Sequence, residues 1–365
     1  KISYSMAAAQ DLRAICRETA RLVAAPGKGI LAADESTPTI GKRFANIGCE
    51  NNEANRRLYR ELLFTSPDIG NYISGVILFE ETLDQKAADG RPFVDILREA
   101  KIQIGIKTDL GCAPLEGTDG ETFTRGLEGL EERSKGYFDK GARFAKWRCT
   151  LKIREDDLPS DQSIACQADT LAQYAAASQA AGLCPIVEPE VLMDGGHDVR
   201  VCQRITEKVV KACYAQLAVR NVDLPGTLLK PNMCLPGNDC KERSNPEEIA
   251  RCTVDAMMAS VPTEVPGIMF LSGGQSEQEA TVNLNAINKL GPHPWAMSFS
   301  YGRALQTSCL RAWAGSAEPA GIAAGQAAFI ARAKADSDAV KGEYSPAAAE
   351  GGASNDTNFQ QNYTY

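Results

Sequence analysis

The sequence predicts an α/β protein that folds as a single (β/α)8 TIM barrel with a flexible C-terminal tail. Three observations lead to this prediction. Eight short apolar runs, each long enough for one strand, follow one another along the 365 residues. Most are separated by amphipathic stretches with helical spacing. Most also end abruptly in charged or small polar residues. Repeated alternation of strand and helix indicates a parallel sheet, and eight parallel strands close a barrel.

The strand candidates differ in their pattern. The fourth alternates apolar and charged residues, whereas the others are largely continuous apolar runs. An open doubly wound sheet is the alternative fold, but no G-x-G-x-x-G motif follows the first strand. In chain order, the candidates are residues 29–33, 74–79, 102–106, 142–152, 183–187, 227–229, 267–271 and 295–299.

Helices are predicted between these strands. The opening helix, residues 11–25, ends where Pro26 and Gly27 break its apolar period. Two later helices have explicit start signals. Asn245 can cap a helix that has Pro246 at its first position, and Ser276 with Glu279 has the spacing of a capping box. Further helical segments are predicted at residues 53–64, 167–181, 199–219, 246–261 and 277–290.

A change in composition near Ser337 divides the chain into a catalytic barrel, residues 1–336, and a tail, residues 337–365. The tail begins small, polar and aperiodic, which is typical of flexible chain. Its tip, from Phe359 to Tyr365, is rich in aromatic residues. An idle tail seldom needs aromatic side chains, so we expect the tip to dock somewhere on the protein. A tail that does not dock is the alternative.

Charge and composition exclude several classes of protein. The net charge is −8 and no basic run is present, so the chain is not expected to bind nucleic acid. No apolar run approaches the roughly 20 residues of a membrane span, and the N-terminus lacks the core of a signal peptide. We therefore expect a cytoplasmic protein without membrane insertion. A cleaved organelle targeting segment would leave no trace.

The cysteines and histidines argue against a metal site. Twelve cysteines are scattered along the chain, and none forms a C-x-x-C pair. Buried free thiols in a reducing compartment are therefore expected. Only two histidines, His197 and His293, are present, which leaves little for a histidine-based site. The sequence predicts neither a metal ion nor another cofactor.

Lys230 follows the apolar strand 227–229 directly and is itself followed by Pro231. Burial lowers the pKa of a lysine, and this makes its amine a nucleophile at neutral pH. The alternative is a lysine that extends from the strand end into solvent. In a barrel, all strand ends of this kind face one mouth, where active sites lie. Around that mouth the sequence places Asp34, Lys107, Asp109, Glu188, Lys230, Ser272 and Arg303.

The fourth strand adds two cations. Lys146 and Arg148 are two residues apart, so they share one face, and Trp147 between them faces the covering helices. An edge strand with a solvated face is the alternative, but a closed barrel has no edges. We therefore expect both cations to point into the barrel.

A buried amine beside a second cation and carboxylates is suited to Schiff-base chemistry on a carbonyl. Lys146 would help to keep Lys230 deprotonated. Glu188 would transfer protons while the carbinolamine is dehydrated, although a simple ion pair at the rim is the alternative for this residue. Asp34 would take a proton from a hydroxyl as a C–C bond breaks.

Two turns are suited to an anion. The segment Ser272-Gly-Gly-Gln-Ser276 precedes a helix, whose first N–H groups can face a negative charge. The segment Ser300-Tyr-Gly-Arg303 follows the eighth strand and adds a guanidinium group. Phosphate sites in barrels often use the loops after strands seven and eight. A second cationic group lies elsewhere on the rim and contains Lys42, Arg43 and Lys107. Two such anchors predict a substrate with two anionic ends.

Long motifs occur in order along the chain. They are Gly-Ile-Leu-Ala-Ala-Asp34-Glu-Ser36, Gly-Val-Ile-Leu-Phe-Glu-Glu-Thr82, Ala-Lys146-Trp-Arg148-Cys, Pro-Ile-Val-Glu188-Pro-Glu190, Thr-Leu-Leu-Lys230-Pro-Asn, Phe-Leu-Ser272-Gly-Gly-Gln-Ser276, Asn-Leu-Asn-Ala-Ile-Asn288 and Phe-Ser300-Tyr-Gly-Arg303-Ala-Leu305. From the first helix to the final tyrosine, the chain resembles the class I fructose-1,6-bisphosphate aldolases.

This resemblance implies a metal-independent lyase, usually a homotetramer. It would cleave fructose 1,6-bisphosphate reversibly to dihydroxyacetone phosphate and glyceraldehyde 3-phosphate in glycolysis and gluconeogenesis. Lys230 would be the Schiff-base lysine, and Glu188 the acid and base for the carbinolamine. Asp34 would deprotonate the C4 hydroxyl, with Lys146 stabilising charge beside it. Tyr365 would handle a proton on the enamine carbon.

The resemblance also implies two phosphate sites. The C1 phosphate would be held by Ser272, Gly273, Gly302 and Arg303, and Gly274 and Ser300 would also belong to the residues that bind the substrate. The C6 phosphate would be surrounded by Ser36, Thr39, Lys107 and Arg148, with Lys42, Arg43 and Arg56 nearby. Two departures from the family pattern concern the C6 phosphate. Leu110 stands where the family usually has a second lysine, and Pro38-Thr39 replaces the commoner Gly-Ser with a stiffer loop.

Three other functions are compatible with parts of the pattern. A metal-dependent aldolase on the same fold would need a histidine cluster. A Schiff-base lyase similar to transaldolase or deoxyribose-phosphate aldolase would need fewer phosphate anchors. A scaffold role with cytoskeletal or membrane-pump proteins, as some aldolases show, could coexist with catalysis, and no motif indicates it.

Overall fold

The computed structural model describes residues 2–154, 159–345 and 353–361, with side chains from residue 11 onward. In these residues, eight parallel strands pair into one closed barrel surrounded by helices. The predicted (β/α)8 fold is confirmed. Residues 346–352 of the predicted flexible tail and the predicted catalytic Tyr365 lie outside the described residues.

Ten strands occur in this part of the chain. Their bounds are β1 (Gly29–Ala33), β2 (Ile73–Leu78), β3 (Gln103–Lys107), β4 (Cys112–Pro114), β5 (Thr122–Thr124), β6 (Phe144–Leu151), β7 (Cys184–Val191), β8 (Leu228–Leu229), β9 (Gly267–Phe270) and β10 (Ala296–Tyr301). The order around the barrel is β1-β2-β3-β6-β7-β8-β9-β10, and β10 pairs with β1 to close it. β4 and β5 form a separate antiparallel hairpin, which the apolar pattern did not indicate.

The helices cover the barrel. Their bounds are α1 (Ile2–Val23), α2 (Thr37–Ala45), α3 (Glu53–Phe64), α4 (Glu80–Leu83), α5 (Phe93–Glu99), α6 (Leu130–Asp139), α7 (Asp161–Ala180), α8 (Val199–Val219), α9 (Pro246–Ser260), α10 (Glu277–Lys289), α11 (Arg303–Trp313) and α12 (Pro319–Val340). Both predicted caps are present. Asn245 Oδ1 accepts from Glu248 N–H at 2.8 Å, and Ser276 and Glu279 form a reciprocal capping box.

Three boundaries differ from the prediction. A loop was expected at Pro38 and Thr39, and this prediction is wrong because both residues belong to the first turn of α2. Proline is accepted at the start of a helix because its missing N–H would have no partner within the helix. β7 continues to Val191 because its polar residues still pair with β6. α12 ends at Val340, beyond the expected barrel boundary at residue 336, and Tyr344 after it is buried.

Inside the barrel, an apolar layer lies on the amino-terminal side of the charged residues at the strand ends. This floor consists of Ile30, Ile77, Phe144, Ile186, Leu228 and Met269. Gly105 makes room for the Phe144 ring, because a Cβ at this position would lie 2.1 Å from it. Two residues further along their strands, on the same inward face, stand Lys146, Glu188 and Lys230. The charged groups of the mouth therefore lie directly above a dry apolar surface.

A buried polar cluster joins α10 to α12. Asp336 Oδ1 accepts from Thr281 Oγ1 at 2.5 Å and lies 3.7 Å from Arg332 Nη2. Burial raises the pKa of Asp336 to about 7, although Arg332 and Thr281 act in the opposite direction; the charge of Glu277 adds a smaller increase. The folded protein therefore holds a proton at Asp336 that the unfolded chain releases well below pH 7.

Asp336→Asn should flatten the dependence of stability on pH. Well below pH 4 the carboxyl is neutral in both states. As the pH rises from about 4 to about 7, only the unfolded chain loses the proton, so the free energy of unfolding falls by roughly 4 kcal/mol in total. The variant should lack this fall. Urea denaturation at several pH values measures it. Asp338→Asn on the same helix is the control and should keep the wild-type slope; an unchanged slope in Asp336→Asn would contradict the prediction.

Candidate active site

Lys230 lies at the carboxyl end of β8, where its backbone N–H donates to Val187 O at 2.7 Å. Its side chain is only 5% exposed, and its Nζ lies 3.2 Å from Glu188 Oε1. The amine is therefore held inside the barrel mouth and does not extend into solvent. Glu188 Oε2 accepts no hydrogen bond within the described residues. This carboxylate is thus close enough to exchange protons with groups bound at Lys230.

Lys146 has no exposed side-chain surface, and three carboxylates surround it. Its Nζ lies 2.8 Å from Asp34 Oδ2, 3.6 Å from Glu188 Oε2 and 3.9 Å from Asp109 Oδ2. A buried ammonium group is tolerated only with such partners. Its neighbour Trp147 faces outward and stacks on a tyrosine of α7. Lys146 therefore points into the barrel, as the alternation of β6 predicted, and links β1, β3 and β7.

Asp34 follows β1 and is 3% exposed. Burial by itself raises the pKa of its carboxyl. The charges of Lys146, Lys230 and Lys107 outweigh this effect and lower the pKa from 3.8 to about 2. The group is therefore a carboxylate at neutral pH and is available as a base.

The two turns for which anion binding is predicted lie together on one wall of the mouth. Gly273 has a φ of 57°, a left-handed conformation that glycine adopts without strain. Ser300 Oγ is buried and has no hydrogen-bond partner within the described residues. Gly302 precedes α11, so Arg303 stands at a helix N-terminus, which attracts anions. The cavity at the barrel mouth is lined by, among others, Asp34, Glu35, Arg43, Arg148, Glu188, Glu190, Lys230, Ser272, Gly273, Ser300, Gly302 and Arg303.

Two of the cations predicted around the C6 phosphate, Lys107 and Arg148, are paired with carboxylates. Lys107 Nζ lies 2.6 Å from Asp109 Oδ1, and Arg148 Nε lies 2.5 Å from Glu190 Oε2. Burial of Asp109 opposes its ionisation, but Lys107 and Lys146 lower its pKa. An anion that binds here must therefore compete with these carboxylates for the cations.

Four residues predicted for the C6 phosphate lie on or next to α2 and α3. Ser36 Oγ and Thr39 Oγ1 are hydrogen-bonded to each other at 3.0 Å. Lys42 is exposed on α2, and Arg56 on α3 pairs with Glu81 at 2.9 Å. In the described residues, none of these four side chains lines the cavity. The structure thus brings the C1 group together more completely than the C6 group.

Glu35 is a site residue that sequence reasoning missed. Its carboxylate is buried and accepts from Arg60 at 2.7 Å and from Gln306 at 3.0 Å. Arg43 also donates to it. Glu35 therefore holds Arg43 at the wall of the cavity. The sequence feature that could have identified Glu35 was its position directly after Asp34, where a strand ends in charged residues.

None of the described helices is long and apolar enough to cross a membrane. In the same part of the chain, no group of three or more histidine, cysteine, aspartate or glutamate side chains is arranged to hold a metal ion. All twelve cysteines are free, and most of them are buried. The expectation of unpaired thiols therefore agrees with the structure.

Comparison with known families decides which barrel enzyme this is. The model of the class I fructose-bisphosphate aldolase family matches residues 16–365. The chain belongs to this aldolase family. It is 54% identical over 347 residues to the cytosolic fructose-bisphosphate aldolase 4 of Arabidopsis thaliana, covering 95% of this chain and 88% of the relative. It is 51% identical over 363 residues to fructose-bisphosphate aldolase 1 of Toxoplasma gondii, covering 99% of both.

A solved aldolase shares the fold. The aldolase of Plasmodium falciparum, in a ternary co-crystal structure with TRAP and a small-molecule inhibitor, is 48% identical with a TM-score of 0.90. The match covers 92% of this chain and 96% of that one. As a class I aldolase, the enzyme cleaves fructose 1,6-bisphosphate reversibly through a Schiff base without a metal ion. Its substrates are sugar phosphates. The predicted family and reaction are confirmed, and the other lyases considered above are excluded.

Part of the aldolase tail, residues 353–361, lies against the Ser272 turn. Asn358 N–H donates to Gly274 O at 3.1 Å, and its Nδ2 donates to Gln275 O at 2.9 Å. Arg303 donates to Asn358 O. A Cβ at position 274 would lie 3.0 Å from Phe359 Cα, so Gly274 lets the tail approach closely. Docking of this segment agrees with the expected attachment of the tail; delivery of Tyr365 to the site remains a prediction.

Proposed function

We propose that Lys230 is the Schiff-base nucleophile of this aldolase and that Glu188 is its acid and base. The distance of 3.2 Å between Lys230 Nζ and Glu188 Oε1 carries this proposal. The amine attacks the C2 carbonyl of fructose 1,6-bisphosphate. Glu188 then protonates the carbinolamine hydroxyl, which leaves as water. The resulting iminium ion can accept the electrons of a C–C bond.

Asp34 is the proposed base for cleavage. It removes the proton of the C4 hydroxyl while the C3–C4 electron pair moves to the iminium ion, which becomes an enamine and releases glyceraldehyde 3-phosphate. The low pKa of Asp34 and the contact with Lys146 support this role. The Lys146 ammonium stabilises negative charge that develops on the C4 oxygen. Tyr365 returns a proton to C3, and hydrolysis then releases dihydroxyacetone phosphate.

The two phosphate groups are assigned to differently constructed sites. The C1 phosphate site is proposed to contain Ser272, Gly273, Gly274, Ser300, Gly302 and Arg303. Two observations support this assignment. The buried Ser300 hydroxyl has no hydrogen-bond partner within the described residues, and Arg303 lies at a helix N-terminus. The C6 phosphate site is proposed to contain Ser36, Thr39, Lys107 and Arg148, with Lys42, Arg43 and Arg56 around it. There the phosphate would displace carboxylates from Lys107 and Arg148.

Reductive trapping tests the central assignment. Borohydride reduces the Schiff base formed with dihydroxyacetone phosphate to a stable adduct, which peptide mass mapping locates. We expect the adduct on Lys230. An adduct on another lysine, or none, would overturn the proposal.

Deletion of Tyr365 should slow turnover more than it weakens substrate binding. The tyrosine is proposed to transfer a proton to the enamine, so its loss should lower kcat by roughly 10²-fold, the lower end for general acid–base groups. KM should change little, because the phosphate-binding residues remain. Steady-state kinetics of cleavage measures both constants. Tyr365→Phe, which lacks only the hydroxyl, should resemble the deletion; an unchanged kcat in the deletion would leave the tail without this role.

We further propose a cytosolic homotetramer. The cytosolic name of the Arabidopsis thaliana relative and the family resemblance support this. Light scattering of the purified enzyme would test the assembly, and fractionation the location. The TRAP complex of the Plasmodium falciparum aldolase supports a protein-binding role for this chain too. Cytoskeletal and pump proteins are the proposed partners, and a pull-down with purified candidates would test each.

A further inference from the structure

Glu277, the first residue of α10, has a buried carboxylate that connects three parts of the chain. Its Oε1 accepts from the backbone N–H of Ser308 in α11 at 2.8 Å. Its Oε2 accepts from the Ser308 hydroxyl and from the backbone N–H of Ser354 at 2.9 Å. Ser354 lies in the C-terminal tail. The tail therefore supplies one of the three hydrogen-bond donors that satisfy this carboxylate.

The chemistry of a buried carboxylate makes this contact strong. A charge removed from water is tolerated when ion pairs or hydrogen bonds replace its hydration. In the described residues, Glu277 has no cation within ion-pair distance, so its donors are the N–H and O–H groups named above. When the tail leaves, the carboxylate loses a charge-assisted hydrogen bond. This hydrogen bond therefore stabilises the docked state of the tail relative to the released state.

We propose that Glu277 is a positioning residue that anchors the C-terminal tail to the barrel and thereby keeps the tail's end near the active site. The effect on turnover rests on the proposed function of Tyr365. The anchor itself does not, because it concerns only the attachment of residues 353–361.

The anchor is independent of substrate, unlike the contact between the tail and Arg303. Four residues after Ser354, Asn358 accepts from Arg303, which is a proposed ligand of the C1 phosphate. A bound phosphate would compete with Asn358 for this guanidinium group. Neither Glu277 nor Ser308 belongs to the phosphate site. Glu277 can therefore hold the tail while Arg303 binds substrate.

Chain length gives the effect to expect when the whole segment 353–361 is released. With Ser354 anchored, 11 residues separate the attachment point from Tyr365. If residues 353–361 lose all their contacts with the barrel, the count starts after Ser345, and 20 residues reach to Tyr365. Effective concentration falls roughly as the −3/2 power of tether length, which corresponds to a loss of about 2.5-fold. The end of the tail also loses its orientation, which lowers kcat further. The largest possible decrease in kcat is the one caused by deleting Tyr365.

Three variants separate the anchor from other effects. Ser354→Pro removes the N–H that Glu277 accepts and leaves the barrel unchanged. Ser354→Ala keeps this N–H and loses only the hydroxyl, which accepts from Arg311 at 3.1 Å and from Asp356 N–H at 3.2 Å at the surface. Proline lacks the same hydroxyl, so alanine is the matched control. Glu277→Gln removes the charge from the barrel side, and thermal denaturation monitors its folding. Hydrogen–deuterium exchange of residues 355–361 in the full-length enzyme measures docking, and steady-state kinetics measures turnover.

We expect exchange to become roughly tenfold faster in Ser354→Pro and Glu277→Gln, and to change little in Ser354→Ala. kcat should fall in the first two variants, by about 2.5-fold where residues 353–361 are released entirely, with a smaller change in KM. Unchanged exchange in Ser354→Pro would overturn the anchor, whatever Tyr365 does. Faster exchange with unchanged kcat would overturn its positioning role if deletion of Tyr365 slows the enzyme. If that deletion has no effect, the proposed tail function fails instead, while faster exchange still supports the anchor.

Discussion

Lys230→Met aldolase should lose cleavage activity by roughly 10⁴-fold or more, the scale of removing a covalent nucleophile. Methionine has nearly the length of lysine but has no amine, so no iminium ion forms and the C3–C4 electrons have no acceptor. The residues proposed for phosphate binding are unchanged, so the bisphosphate should still bind. Single-turnover kinetics and calorimetry measure the two effects, and mass spectrometry after borohydride reduction should find no adduct with dihydroxyacetone phosphate.

Lys341→Met is a suitable control, because Lys341 lies at the exposed end of α12, far along the chain from the strand ends. It should retain both activity and adduct. Lys146 is the other amine buried in the mouth and hence the competing candidate. An adduct on Lys146 in the Lys230→Met protein, formed at the wild-type rate, would show that the nucleophile has been misassigned.

Asp34→Asn should lower kcat by roughly 10²–10⁴-fold while the Schiff base still forms. Asparagine has the same shape but cannot take the proton of the C4 hydroxyl. Lys230 and Glu188 are intact, so the iminium ion should accumulate with an uncleaved sugar. Borohydride should therefore trap a six-carbon adduct in the variant. A three-carbon adduct that appears as fast as in wild type would contradict the role of Asp34.

The same substitution should be tolerated by the fold. Lys146 keeps the carboxylates of Glu188 and Asp109 at 3.6 and 3.9 Å, so its buried charge is still compensated. We expect the free energy of unfolding to fall by about 1–3 kcal/mol, less than is usual when a buried ion pair loses its one partner. Urea denaturation measures the loss. This separates a chemical defect from an unfolded enzyme.

Lys230, Glu188 and Asp34 could be located from the sequence because each follows or extends an apolar run of strand length. In a parallel barrel all such runs deliver their carboxyl ends to one mouth. The inward orientation of Lys146 was predicted from one further local property, the two-residue alternation of side chains along β6. Apolar patterns were less informative for β4 and β5, which are only three residues long and lie outside the barrel.

The partners of the charged groups could not be predicted in this way. Arg148 and Glu190 are 42 residues apart in the chain and meet because β6 pairs with β7. Arg43 meets Glu35 because α2 begins directly after β1, where a stiff loop was expected. Such contacts depend on strand register and helix direction. Neither is encoded in the spacing of residue types along one segment.

The kinds of reactive group, their order and their inward orientation follow from the sequence, because residue type and periodicity are local properties of the chain. The tertiary structure decided which charges compensate one another. It placed Lys146 between three carboxylates, lowered the pKa of Asp34, and set Lys230 beside Glu188 above an apolar floor. It also brought Ser354 to Glu277. Burial and distance between remote segments control these properties, so only the folded chain determines them.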